Sequence, residues 1–209
     1  MKKILISFAA LSCIVTGCCN QMPDEATDNP VVDAIMSRRS IRHYTDAPVG
    51  RDLLQKIAEC GINAPNAMNK QEWEVRIVDD KDYFDGATKI MAETMPSFVN
   101  ADDPKFRNGF RNCTAAFFIA CPEDESGMLL QNVGLMSENI CLAAHSLGLG
   151  TCIMAGPARF LNTVEAAKPY LDKLAFSEGY KLQIVIAVGY PDEQPDAKPR
   201  DASKIKFVQ

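Results

Sequence analysis

Arg38, Arg39 and Ser40 set two guanidinium forks beside a hydroxyl, with a third cation at Arg42 two positions on. Such a set suits a phosphate and a polyol, because arginine grips phosphate through two parallel N–H bonds. Asn66, Asn69 and Gln71, just ahead of Trp73, group carboxamides that offer donor and acceptor together, as the imide edge of a heteroaromatic ring requires. Lys198-Pro199-Arg200 adds two cations near the far end of the chain. Taken singly, each cluster has a plainer reading: a solvated double arginine, turn-forming asparagines, a charged tail.

Other chemistries lack their residues. No Gly-x-Gly-x-x-Gly follows a strand-like run, and there is no Walker phosphate loop or Gly-x-Ser-x-Gly elbow. The cysteines form no Cys-x-x-Cys pair and the only histidines are His43 and His145, so no metal site is expected. Cys60, Cys113, Cys121, Cys141 and Cys152 sit mostly in apolar contexts and read as core thiols. His145, on an apolar helix, reads as a hydrogen-bonded interface residue, and His43 is a candidate proton relay. With 27 acidic against 22 basic residues, a net charge of −5 argues against a nucleic-acid partner.

The elements that must position these clusters follow from periodicity. Val31–Met36 has apolar residues at helical spacing, and Leu53, Leu54, Ile57, Ala58 and Ile62 share one face of a helix over Arg51–Ile62. Pro65 and the asparagines make 63–69 a loop. Trp73–Val78 alternates as a strand, and Asp79-Asp80 caps a helix running to about Met95. Residues 96–111 mix Pro, Gly and charge with Phe98, Phe106 and Phe110, the pattern of a lid or pocket edge. Ala115–Ala120 reads as a buried strand. The helix from Met128 to Leu147 is apolar on most sides, which in a domain of this size points to the centre of a subunit interface. Thr151–Met154 is a short strand, Pro157 opens a helix, Leu182–Val188 is a strong strand, and Ile205–Val208 alternates like one. Helices mixed with spaced strands give an α+β domain.

The start of the chain reads as an address. Met1-Lys2-Lys3 precedes an apolar run from Ile4 to Val15, shorter than the roughly 20 residues a membrane span needs. Val15-Thr16-Gly17-Cys18 resembles the bacterial lipobox, which implies cleavage after residue 17 and lipid on Cys18. The expected organisation is a signal peptide at 1–17, a lipidated tether at 18–30 and one domain at 31–209. Cleavage would leave 20 basic residues against 27 acidic, a net charge of −7. The chain would then sit in the cell envelope, periplasmic or surface-exposed, held to the membrane by its lipid alone.

Taken in order, the polar clusters resemble the motifs of the nitroreductase family, FMN-dependent flavoproteins. The matching segments are Ser37-Arg38-Arg39-Ser40-Ile41-Arg42-His43-Tyr44 and Ala64-Pro65-Asn66-Ala67-Met68-Asn69-Lys70-Gln71-Glu72-Trp73, where Glu72 replaces the usual proline. Further along come Leu147-Gly148-Leu149-Gly150-Thr151-Cys152-Ile153 with Ala155-Gly156, then Val188-Gly189-Tyr190-Pro191 and Lys198-Pro199-Arg200. The resemblance implies a mostly antiparallel central sheet flanked by helices, in an interlocked homodimer with FMN at its interface and a C-terminal arm around the partner. It implies that Arg38, Arg39 and Ser40, joined by Lys198 and Arg200, hold the FMN phosphate and ribityl chain. Arg42 would lie toward the flavin pyrimidine, and Asn69 and Gln71 would bind ring or ribityl atoms. Ala155 and Gly156 would offer backbone N–H near N5, where some members carry an acidic residue. The implied activity is ping-pong hydride transfer from NAD(P)H to a nitroaromatic, quinone or enone. A flavin-binding electron-relay lipoprotein with little turnover is the alternative.

Overall fold

The structure is a computed structural model and describes residues 29–100 and 102–208. The expected signal peptide, the expected lipidation site Cys18 and the expected tether up to residue 28 lie outside the described residues. Asn29 Oδ1 accepts the backbone N–H groups of Val31 and Val32 at 3.0 and 3.3 Å. This caps helix α1, Pro30–Ser37, with proline in its first turn, so the helix starts one residue inside the expected tether. No residue of α1 is buried.

Helix α2, Arg51–Ile62, buries Leu54, Ile57 and Ala58 of the face anticipated from periodicity, together with Gly61, while Leu53 is half-buried and Ile62 is exposed. Strand β1 runs Glu74–Val78, and Asp80 then caps helix α3, Lys81–Thr94, by accepting the N–H of Asp82 at 2.9 Å. Strand β2, Ala115–Pro122, precedes the long helix α4, Met128–Ser146. Strand β3 (Gly150–Met154), helix α5 (Gly156–Thr163), the short helix α6 (Lys168–Asp172) and strand β4 (Tyr180–Gly189) complete the order. Only α6 had no counterpart in the periodicity; five residues are too few to show one.

The four strands form one antiparallel sheet in the order β1-β2-β4-β3. Its central strand explains the continuous apolar run. On β2, Ala115, Phe117, Ile119 and Cys121 face a core shared with α2 and α4, while Ala116 and Phe118 face another shared with α3 and α5. A strand buried on both faces cannot alternate with polar residues. Helices α2 and α4 meet closely at Gly61, where an added Cβ would lie 2.6 Å from Ile140 Cγ1.

One expectation holds in part and one fails: Pro104, Lys105, Arg107 and Asn108 of the 96–111 stretch edge cavities, but the aromatic Phe110 does not. Phe110 is no lid residue: it is fully buried and stacks with Phe84 at 5.3 Å and Phe118 at 6.1 Å between ring centroids. Buried Asn108 and Asn112 organise the backbone around it. Asn108 Oδ1 accepts the N–H of Phe110, and Asn112 Oδ1 accepts the N–H of Arg107. A polar, glycine-bearing stretch therefore packs because its own carboxamides satisfy the buried backbone. The tail is also not a strand in this chain. A short 3-10 turn at Ala202–Lys204 leads to Ile205, Phe207 and Val208, which are 80, 99 and 97% exposed. Alternation alone pairs nothing without a free edge within reach.

Candidate functional site

Residues 38–44 leave α1 and run along the outer edge of β3. Ser40 bridges Thr151 in parallel sense, the N–H of Ile41 donates to the carbonyl of Thr151 at 2.9 Å, and Tyr44 bridges Pro191. Ile41 and Tyr44 turn into the core, and the Tyr44 hydroxyl donates to the Ile41 carbonyl at 2.6 Å. Gly150 permits this approach, since a Cβ there would lie 2.7 Å from Ile41 Cγ1. Two apolar anchors thus hold the segment while Arg38, Arg39, Ser40 and Arg42 stay partly or fully exposed.

The three cations differ in what they touch. Arg39 Nη1 donates to the carbonyls of Met36 and Arg38, both at 2.8 Å. Arg42 Nη1 donates to the Ser40 carbonyl at 3.2 Å, and its backbone N–H donates to the Glu193 carboxylate. Among the described residues Arg38 has one ionic neighbour, Glu138, with Nε and Oε1 3.4 Å apart, and its buried Nε makes no hydrogen bond. The nearby Glu138 carboxylate offsets the cost of that buried N–H electrostatically, and with no guanidinium hydrogen bond among the described residues the Nη groups are open to a ligand.

At the other end of β3, Ala155 precedes α5 without a side-chain cap, so the first N–H groups of that helix have no acceptor from a cap side chain. Gly156 is required sterically: an added Cβ would lie 2.2 Å from Phe98 Cε1. Phe98 is half-buried and can swing, so Gly156→Ala should cost about 1 kcal/mol, the low end for overpacking, measured by thermal unfolding.

Asn69 and Gln71 lie on the exposed loop between α2 and β1. Met68, Asn69 and Gln71 all adopt left-handed backbone, with φ of 53, 52 and 54°, uncommon for non-glycine residues. The loop is tied down at both ends. Asn66 Oδ1 accepts the Gln71 N–H at 2.9 Å, and Asn132 Oδ1 on α4 accepts the Ala67 N–H at 3.3 Å. Asn132 is 6% exposed and escaped the motif reading because it sits in a helical repeat far from the loop. Glu72, in the usual proline position, lies 3.9 Å from Lys70 Nζ.

Lys198 and Arg200 are exposed, and Arg200 Nη1 donates to the Lys198 carbonyl at 3.3 Å. Among the described residues no hydrogen bond or ion pair links either to the 38–42 segment. One chain therefore aligns Arg38–Arg42 with Ala155–Gly156 along β3 and leaves the tail cations apart. The cavities described, of about 440–650 Å³, include only Gln71 of these residues. The largest is bounded by Pro48, Phe84, Thr88, Lys89, Arg107 and Cys113. His43 lines a separate hollow with Lys105, Arg107 and Asp192, its Nδ1 buried and unpartnered.

The thiols fit the core reading except Cys60, which is half-buried. Burial pushes Cys113 up to about 12 and Cys141 up to about 11, so neither is a thiolate nucleophile near neutrality.

The antiparallel sheet, its flanking helices and the cationic edge beside β3 together define an α+β class. The chain matches the Nitroreductase family over residues 35–190 and belongs to it. A provisionally named NADH dehydrogenase/NAD(P)H nitroreductase of Methanothermobacter thermautotrophicus is 29% identical over 171 residues, covering 80% of this chain and 81% of its own. The FMN reductase [NAD(P)H] of Bacillus subtilis is 27% identical over 189 residues, 82% and 70% of the two chains. Among solved structures, an FMN-dependent nitroreductase of Clostridium difficile superposes with a TM-score of 0.68 at 26% identity, covering 87% of this chain and 100% of its own. A nitroreductase with bound FMN from Desulfitobacterium hafniense shares the fold, with a TM-score of 0.75 at 24% identity over 87% and 99%.

Proposed function

We propose that the chain is an FMN-dependent NAD(P)H oxidoreductase that works as a homodimer. The observation that carries this reading is Arg38: its half-buried guanidinium, backed at Nε by Glu138, makes no hydrogen bond among the described residues, and it stands at the head of a cationic edge leading along β3 to the uncapped start of α5. That donor set fits an FMN. Arg38, Arg39 and Ser40 would hold the phosphate and ribityl chain, with Lys198 and Arg200 brought in from the tail. Arg42 would place a cation toward the pyrimidine, where reduced flavin gathers negative charge. Asn69 and Gln71 would bind polar atoms of the cofactor, and the N–H groups of Ala155 and Gly156 would face its N5 edge.

FMN, when bound, supplies the hydride-accepting and hydride-donating centre; the chain supplies binding, orientation and electrostatics. NAD(P)H as donor is supported by the names of the relatives. A nitroaromatic, quinone or enone would use the same slot after the nicotinamide leaves.

The dimer answers two features of the single chain. Small-molecule sites enclose most of their ligand, whereas the 38–42 edge is open on one side. Val31, Val32, Ile35 and Met36 on α1, and Leu130 and Leu135 on α4, are also exposed, as is the apolar tail. A second copy would cover such a patch by symmetry and close the site. Lipid on Cys18 would tether the dimer to the cell envelope.

Titrating FMN into the purified protein tests the reading. The expected result is a yellow protein with one FMN per protomer and the mass of a dimer in light scattering. A colourless protein that takes up no FMN would overturn it. Tight FMN that neither nicotinamide can bleach would favour the electron-relay alternative.

A further inference from the structure

Arg38 does not reach the open edge unaided. Three guanidinium groups within five residues repel one another, and Arg38 sits at the C-cap of α1, where its backbone N–H donates to the Ala34 carbonyl at 3.0 Å. Left to itself, a long cationic side chain at a helix end turns out to water. Instead its side chain is 23% exposed and lies against α4.

Two side chains of α4 account for that. Glu138 and His145 are seven residues apart, two turns along one face of the helix. Glu138 Oε1 lies 3.4 Å from Arg38 Nε. His145 Nε2 lies 2.8 Å from Ser37 Oγ, and Ser37 Oγ spends its one hydrogen on the Asp33 carbonyl at 2.5 Å. The imidazole must therefore donate from Nε2, pinning the last turn of α1. Burial, then Arg38 and Arg39, lower the pKa of His145, so the ring is favoured in its neutral form, here as the Nε2–H tautomer. The side chain of Ser37 is thus held by His145 and the guanidinium of Arg38 by Glu138.

We propose that Glu138 is a positioning residue for cofactor phosphate: it orients Arg38 from behind, so that the Nη1/Nη2 fork faces the ligand. This rests on the FMN reading of the site. Arg39 and Arg42 bond to main-chain carbonyls, whereas Arg38 is the member of the trio that ion-pairs with a side-chain carboxylate among the described residues. Glu138 approaches the guanidinium at Nε, and among the described residues no hydrogen bond occupies Nη1 or Nη2. A phosphate takes two parallel N–H bonds from such a fork, so Glu138 and phosphate hold different edges of one guanidinium. The carboxylate is about half exposed, which lets it be replaced without opening the core.

The test measures dissociation constants of FMN and of riboflavin, which lacks the phosphate, by flavin fluorescence in the full-length protein. Glu138→Ala should weaken FMN about tenfold, within the coupling range for residues of one ion-pair network, and leave riboflavin unchanged. Glu138→Gln, which keeps an acceptor at the same reach, should restore most of the loss. In an Arg38→Ala background, Glu138→Ala should add nothing. Equal weakening of FMN and riboflavin, additive losses with Arg38→Ala, or tighter FMN binding in Glu138→Gln would each overturn the proposal. If the unsubstituted protein binds no FMN, the functional reading itself fails; if it does and Glu138→Ala binds equally well, only the role of Glu138 fails.

Discussion

Replacing Arg38 and Lys198 together by alanine will weaken FMN binding by about 3–6 kcal/mol, since each charge-assisted hydrogen bond contributes roughly 1.5–3 kcal/mol. The two residues stand for the two halves of the proposed phosphate site. Arg38 is partly buried and pre-positioned at the sheet edge, while Lys198 is exposed on the tail. Arg38→Ala alone should account for the larger share, because a side chain already ordered loses less entropy on binding than one recruited from solvent. Riboflavin should bind both variants as it binds the parent. Isothermal titration with both flavins checks this, and unchanged FMN affinity in the double variant would remove the phosphate site from this edge.

Phe110→Ala will destabilise the domain by about 3–5 kcal/mol, the range for removing a large buried aromatic. Phe110 is fully buried and packs on Phe84, Phe118 and Tyr83, with centroids 5.3, 6.1 and 6.4 Å away. Those rings come from α3, β2 and the loop, so the cavity would open where three segments meet. Phe106, half-buried on the same loop, should cost far less on replacement. Urea unfolding of both variants decides the matter: similar, small losses would mean that the loop is a mobile edge after all.

That loop shows where local pattern misleads. Residues 96–111 carry the proline, glycine and charge of a surface connection, and their aromatics resemble those of a pocket rim. Their burial depends on Asn108 and Asn112 supplying backbone partners, a pairing between residues four apart that composition does not reveal. By contrast, α2, β2, α4 and β4 were legible because a buried face leaves its period in the chain: every 3.6 residues for a helix, an unbroken run for a central strand. The tail alternates as a strand should, yet this chain gives it no neighbour.

The site was legible in type and not in assembly. Arg38, Ser40, Ala155 and Gly156 announce themselves by motif, and the bridge from Ser40 to Thr151 explains why they share one edge. Glu138, His145 and Asn132 belong to no motif. They are polar positions on a mostly apolar helix, and only the packing of α4 against α1 and the Asn66–Gln71 loop gives them work. Lys198 and Arg200 are the reverse case, clear in the motif and unassembled within one chain.

The most direct test of the central claim is anaerobic stopped-flow absorbance of the FMN-loaded protein mixed with NADH or NADPH. At least one nicotinamide should bleach the bound flavin in a single turnover, and a quinone or nitroaromatic added afterwards should restore the oxidised spectrum. Bound flavin that keeps its colour with both nicotinamides would contradict the oxidoreductase account.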